Sequence, residues 1–469
     1  MPSYLPLYLR NRSVNLYIGV LLLCNLLFIN NRIPLIFGLF GLIEVFTFFY
    51  LSNQLSQNWI QISQKTINTK IFIFGFGVRL LWVIFSYIFY NVMTGQPFEF
   101  ASADAKGYHD EAIWFSNLIK NNEINVYFDY IKDRYSDMGY PYYLGWQYWI
   151  TGGSIILARI LKAIYGAYTC VLIYKLAQRN FGEEVGRLSG IFCILLPNLV
   201  YYSGLHTKEV EMLLLSTFFV ERADFVFRQK KINLRLVLLI IVLAGFLFFF
   251  RTVLGLTALF SLLSSVLLSR NRVVKIGNRA LMGIWVTVAV MYFACGKIAN
   301  EVEKIWEARE SNQTSSFTFR AERTNGNKFA KYVSGAVFVP LIVVIPFPTL
   351  VGTPNQENQQ LLNGGNFVKN ILSFFFVVGL YWLARNRLLR NHVLLLTYTF
   401  GYLIIIALSA FAQAERFHQP AIPLIMIFAA LGISKLNNNI KPIFSWYMLF
   451  LFVAIIYWSW FKLAGRGMV

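Results

Sequence analysis

Polar and apolar positions along this chain alternate in long blocks rather than in short amphipathic periods. Predominantly apolar runs of roughly 17 to 25 residues, long enough as helices to cross ~30 Å of hydrocarbon, lie near 14–31, 33–52, 71–93, 146–174, 186–203, 209–226, 234–250, 252–269, 280–297, 367–384, 393–411, 419–434 and 442–462. The pattern predicts an all-α polytopic membrane protein with about thirteen transmembrane helices, and interfacial helices in two long loops, about 94–145 and 298–366. A further apolar stretch, 336–351, is interrupted by Pro340, Pro346 and Pro348, and reads as a re-entrant or interface-lying segment at least as readily as a span. Four regions are expected: an N-terminal tail with an additional two-helix hairpin (1–66), a transmembrane core with the first long loop (67–297), the second long loop (298–366) and the C-terminal helices (367–469).

Composition excludes a water-soluble globule, because 57% of the 469 residues are hydrophobic and 14% charged. Orientation follows from the basic residues, since short loops rich in Lys and Arg stay in the cytoplasm. With Arg10 and Arg12 inside, the cytoplasmic loops carry Lys65, Lys70, Lys175, Arg179, Arg187, the cluster Arg222 to Arg235, the cluster Arg270 to Arg279, Arg385, Arg387, Arg390, Lys435 and Lys441, half of the chain's 42 basic residues. The two long loops then face outward and hold most of the carboxylates. The net charge of +20 is accounted for by this topology and by attraction to anionic lipid, so no nucleic-acid partner is needed. Cys24, Cys170, Cys193 and Cys295 all fall in apolar runs without metal-ligand spacing and read as small core residues. The first run leads into the second with no small-residue cleavage site between them, so it is expected to stay as an anchor. The sequence shows no internal repeat, Walker loop, GxGxxG or HExxH, which argues against an ATP-driven pump or a membrane metalloprotease.

Ionisable residues within apolar runs are costly and draw attention first. Glu44 reads as a helix–helix hydrogen bond or as a functional carboxylate, Arg79 equally as packing or function, and Arg251 as a phosphate-binding guanidinium on a sharp turn or an interfacial snorkel. The outward face gathers four polar clusters. They are Asp104 to Glu111 after the 71–93 run, a turn over Asp137-Met138-Gly139-Tyr140-Pro141, Tyr202-Ser203-Gly204 followed by His206, Lys208 and Glu209 close to the membrane surface, and Glu415-Arg416-Phe417-His418 before Pro420 and Pro423.

In order and in membrane side, these pieces resemble the GT-C class of polytopic glycosyltransferases, particularly the branch of protein O-mannosyltransferases and the lipid A aminoarabinose transferase. The resemblance covers about 71–434 and rests on Arg79, on Asp104 four residues before Tyr108, on Gly139-Tyr140-Pro141, on Tyr202-Ser203-Gly204 with Lys208-Glu209, and on Arg416-Phe417 with Pro420 and Pro423. It implies transfer of a sugar from a polyprenyl-phosphate donor to an acceptor hydroxyl on the outer side. Asp104 would be the general base, with Arg416 first, then Lys208 and Arg251, holding the leaving phosphate. Glu209 would orient Lys208 or bind acceptor, Tyr108 would pack on the sugar or hold the loop, and Tyr140, His109, His206, His418, Asp110, Glu111 and Arg79 would support the site.

The chain departs from the O-mannosyltransferase signature where Ala105, not Glu, follows Asp104; Asp110 or Glu111 is the alternative base, and a solvated helix face the plain alternative. The hairpin over 14–52 precedes the family-like start and has no counterpart in it. No cofactor is expected, although Asp104 with His109, His206 and His418 allows a divalent metal. The second loop, with Trp306, Arg309, Arg320, Arg323, Lys328 and Asn325-Gly326, is expected to cover the site or select the acceptor. Rival readings are a flippase or transporter of lipid-linked saccharides and an O-antigen polymerase or ligase using Arg320 and Arg323. The acceptor, whether glycan, lipid or protein, is not legible, and a bacterial inner membrane with a periplasmic site is the expected setting.

Overall fold

The computed structural model describes residues 5–132, 138–229, 233–268, 339–408, 414–436 and 440–468. The chain opens with α1 (Leu7–Leu27), α2 (Leu35–Asn58) and α3 (Gln64–Thr94). α3 stops where Gly95 takes φ 72°, a left-handed position that a glycine adopts without strain. Three shorter helices follow, α4 (Ala103–Lys120), α5 (Ile124–Ile131) and α6 (Gly139–Thr151). α4 and α6 pack together, and Phe115, Tyr127, Tyr142 and Trp146 form a separate aromatic core between them and α5.

The expected span over 146–174 is two helices. α6 ends at Gly152 and Gly153, with φ 68° and 85°, and α7 (Ile155–Phe181) begins after Ser154, whose hydroxyl caps Leu157 N at 3.4 Å. The expected turn at Gly139-Tyr140-Pro141 is instead the first turn of α6, where a proline costs no helical hydrogen bond. α8 (Glu183–Leu195) runs into α9 (Pro197–Tyr201), and the chain bends by 55° there because Pro197 has no N–H to continue the ladder. The remaining helices are α10 (Glu209–Arg228), α11 (Leu234–Phe250), α12 (Thr252–Leu268), α13 (Glu357–Gln360), α14 (Asn363–Arg385), α15 (Val393–Ala407), α16 (Ile422–Ser434) and α17 (Ile440–Ala464).

Among the described residues six helical segments are long and apolar enough to cross a membrane: α2, α3, α7, α14, α17 and the run Glu415–Ser434 that contains α16. The bent α8–α9 pair makes a seventh, and α11, α12 and α15 are shorter apolar helices. α10 coincides with a predicted span but carries six charged residues, and Arg10, Asn11, Arg12 and Asn15 dilute α1. The 280–297 run lies outside the described residues, so thirteen spans are not established. Cys24, Cys170 and Cys193 are buried free thiols, and Cys295 lies outside the described residues.

The N-terminal hairpin is built into the bundle, with α2 packed on α8 and α14 and the Gly365 N–H donating to Glu44 Oε2 at 3.0 Å. Glu44 therefore makes a helix–helix hydrogen bond. Residues 339–351 form turns and extended chain, not a span. Their backbone is satisfied by side chains of α14. Ser373 Oγ donates to Val343 O at 2.7 Å, Lys369 Nζ to Ile345 O at 2.5 Å and Asn370 Nδ2 to Pro346 O at 3.2 Å, while Asn363 bonds both backbone groups of Thr349 at 2.8 Å. Irregular chain can lie at membrane depth only under such cover.

Candidate functional site

α4 begins at Ala103, and Asp104 in its first turn is stabilised by the unpaired N–H groups of the helix start. Its Oδ2 lies 2.6 Å from Arg416 Nη1, and Arg416 Nε lies 3.8 Å from Glu209 Oε1. Residues 104, 209 and 416 thus meet, although more than a hundred positions separate each from the next. Glu209 opens α10 with four residues between it and the Tyr202–Gly204 turn, and Arg416 lies in the short 3-10 segment Glu415–Ala421 before α16. The Asp104 and Arg416 side chains remain 46% and 35% exposed, whereas Glu209 is 3% exposed.

The other predicted cations lie against aromatic rings. Arg251 is a single extended residue between α11 and α12, not a helical turn, and its guanidinium sits 4.5 Å from the Phe417 ring, which Arg416 also touches at 5.0 Å. Lys208 is buried, with its ammonium 5.8 Å from the Tyr108 ring. Tyr108 meets Tyr140 edge-on at 5.1 Å, and Tyr140 lies 4.7 Å from Lys162 Nζ. His109 and His206 are joined through one hydroxyl: His109 Nδ1 is 2.7 Å and His206 Nε2 2.9 Å from Tyr148 Oη. Burial lowers the pKa of both imidazoles, that of His206 well below the usual range with Lys162 and Arg159 adding to it. Among the described residues no three His, Cys, Asp or Glu side chains group as a metal site.

A cavity of about 200 Å³ opens beside the Asp104–Arg416 pair, lined by Arg416, Glu209, Glu99, Thr207, Tyr202, Glu415 and the extended segment at Pro346 to Thr349, among others. Glu415 is fully engaged: its carboxylate accepts from Asn198 Nδ2 at 2.9 Å, Gln419 Nε2 at 2.5 Å and Tyr202 Oη at 2.7 Å. The α8–α9 bend delivers Asn198 and Tyr202 to these bonds. Behind the wall, Lys162 donates to Thr207 O and pairs with Glu211 at 3.3 Å.

Sequence reasoning missed Glu99, Thr207, Glu415, Asn198, Arg159 and Lys162. Signals existed for Glu99, a carboxylate bracketed by Phe98 and Phe100 just past a span, for Arg159 and Lys162, ionisable residues inside the 146–174 run, and for Glu415, which stands in a polar cluster beside Arg416. Burial raises its pKa, with Arg159 and Lys162 opposing.

Several expected participants lie elsewhere. Arg79 is buried in α3, where it donates to Gly75 O at 3.1 Å and Cys193 O at 2.8 Å and so ties α3 to α8. Glu111 accepts from Tyr127 Oη at 3.2 Å and braces α4 on α5. Asp110 is exposed on α4, and His418 is buried within the turn before α16. Trp306, Arg309, Arg320, Arg323, Asn325, Gly326 and Lys328 lie outside the described residues, as do Asp133 and Asp137.

No family model and no curated protein match this sequence. Among solved structures, the chain is similar to the archaeal oligosaccharyltransferase AglB from Archaeoglobus fulgidus in complex with an inhibitory peptide and a dolichol-phosphate, at 14% identity and a TM-score of 0.49, over 86% of this chain and 56% of that one. It is also similar to ArnT from Cupriavidus metallidurans bound to undecaprenyl phosphate, at 14% identity and a TM-score of 0.39, over 70% of this chain and 62% of that one. This chain spans less than two thirds of either protein's length.

Proposed function

We propose that this chain is a multi-pass membrane glycosyltransferase of the GT-C type, moving a sugar from a polyprenyl-phosphate donor to an acceptor hydroxyl at the cavity beside Asp104 and Arg416. The observation that carries the reading is the meeting of Asp104, Glu209 and Arg416 beside a cavity that Glu209 and Arg416 line. Lys and Arg counts in the short loops support a site on the extracytoplasmic face, the periplasm of a bacterial inner membrane.

In this reading the donor phosphate takes over Arg416 and frees the Asp104 carboxylate for the acceptor. Asp104 removes the hydroxyl proton, the acceptor oxygen forms a bond to the anomeric carbon, and the bond from that carbon to the phosphate oxygen breaks with its electron pair on the phosphate. Arg416 offsets the charge that develops there, with Arg251 and Lys208 adding positive potential. Attack opposite the leaving phosphate inverts the anomeric configuration. Glu209 holds the Arg416 guanidinium from its other side.

Binding of undecaprenyl phosphate to purified wild type, Arg416→Ala and Asp104→Asn tests the exchange. Arg416→Ala is expected to weaken binding about tenfold or more, while Asp104→Asn, which removes the competing carboxylate, binds at least as tightly as wild type. Wild-type affinity in Arg416→Ala contradicts the assignment.

A further inference from the structure

The cavity wall away from Arg416 is acidic and incompletely bonded. Glu99, Thr207 and Glu209 line it, at 8%, 4% and 2% exposure, and each keeps a buried side-chain oxygen without a hydrogen-bond partner: Glu99 Oε2, Thr207 Oγ1 and Glu209 Oε2. They come from three different parts of the chain. Glu99 lies in the connection between α3 and α4, Thr207 in the turn after the α8–α9 bend, and Glu209 at the start of α10.

A buried oxygen left without a donor costs about 1 to 3 kcal/mol, so three around one cavity describe a place where a ligand supplies donors. The phosphodiester of a lipid-linked sugar has no hydrogen to donate, and its negative charge is unfavourable beside carboxylates. A sugar ring supplies several hydroxyls at this scale.

We infer that Glu99, Thr207 and Glu209 form a sugar-hydroxyl subsite, which holds the transferred sugar in the cavity while the phosphate remains on Arg416. The inference rests on the glycosyltransferase reading and adds a division of labour to it: cations take the carrier, the acidic wall takes the sugar. The wall then sets which sugar is accepted, because a sugar lacking a hydroxyl at one of these oxygens leaves that oxygen buried and unbonded. Glu99 is also distinct from the catalytic pair, since it contacts neither Asp104 nor Arg416 among the hydrogen bonds and ion pairs of the described residues.

The test compares bare undecaprenyl phosphate with undecaprenyl-phosphate glucose, galactose and mannose, binding each to purified wild type, Glu99→Gln and Thr207→Val. Wild type is expected to bind at least one sugar-bearing carrier about tenfold more tightly than the bare carrier. Each variant loses most of that difference while binding the bare carrier as wild type does, which also reports that the variant is folded. If wild type binds the bare carrier but no sugar adds affinity, or if both variants keep the full difference, the subsite is overturned and the transferase reading stands. If wild type binds no carrier at all, both fall.

Discussion

At the scale of single residues, the Asp104–Arg416 contact is an ion pair between half-exposed side chains, a kind that adds little to stability. In the proposed reaction the pair is exchangeable, because a phosphate can displace the half-exposed carboxylate without leaving a buried charge behind. Glu99 is the opposite case. Burial raises its carboxyl above the unfolded value, near 4.3. Between those two values the folded protein binds the extra proton, so the contribution of Glu99 to stability declines as pH rises through that window. Melting of wild type and Glu99→Gln in detergent from about pH 4 to 7 checks the sign: the variant's melting temperature should gain on wild type as pH rises, and a constant difference would show that Glu99 is not buried as described. Asp104, Glu209 and Arg416 were legible in the sequence because each stands in a short polar cluster between apolar runs. Thr207 was not, since a threonine carries no mark of function until the fold buries its hydroxyl without a partner. Arg79 shows the converse, an intramembrane charge whose donors serve backbone carbonyls.

At the scale of elements, α14 and α16 approach most closely through Gly379 and Gly432. A Cβ on Gly432 would run into the Phe375 carbonyl, and one on Gly379 into the Phe428 carbonyl, both backbone atoms that cannot swing away. Alanine ordinarily gains about 1 kcal/mol over glycine inside a helix; here overpacking, of order 1 to 3 kcal/mol, outweighs it. Gly432→Ala should therefore lower the melting temperature, whereas Gly19→Ala, with nothing within 4 Å, should leave it unchanged or raise it. Equal behaviour of the two would contradict the close packing of α14 on α16. Spans were legible where an apolar run needed no tertiary information, as in α2 and α3. The 146–174 run misled because Trp146, Tyr148, Trp149 and Ile150 are as apolar as a span, while the break depends on two glycines at positive φ. The 339–351 segment was readable as exceptional from its prolines. Its cover was not, because Asn363, Lys369, Asn370 and Ser373 become partners only when α14 packs beside it.

At the scale of the whole molecule, the bundle brings together the starts of α4 and α10 and the 3-10 segment that leads into α16, which contribute Asp104, Glu209 and Arg416. The N-terminal hairpin, additional by sequence, supports this end indirectly, since α2 packs on α8, which leads into the bend, and on α14, whose side chains hold the extended segment lining the cavity. Pattern and order alone could indicate a shared membrane face; contact between residues 104 and 416 required the fold. The central claim is that Asp104 is the base of a sugar transfer from a polyprenyl phosphate. It is tested most directly by incubating purified wild type and Asp104→Asn with radiolabelled polyprenyl-phosphate sugars and an envelope acceptor extract, and measuring label passed to the acceptor. The account predicts transfer by wild type and a loss of about 10²- to 10⁴-fold in Asp104→Asn with donor binding retained. Equal transfer by the two proteins would contradict it.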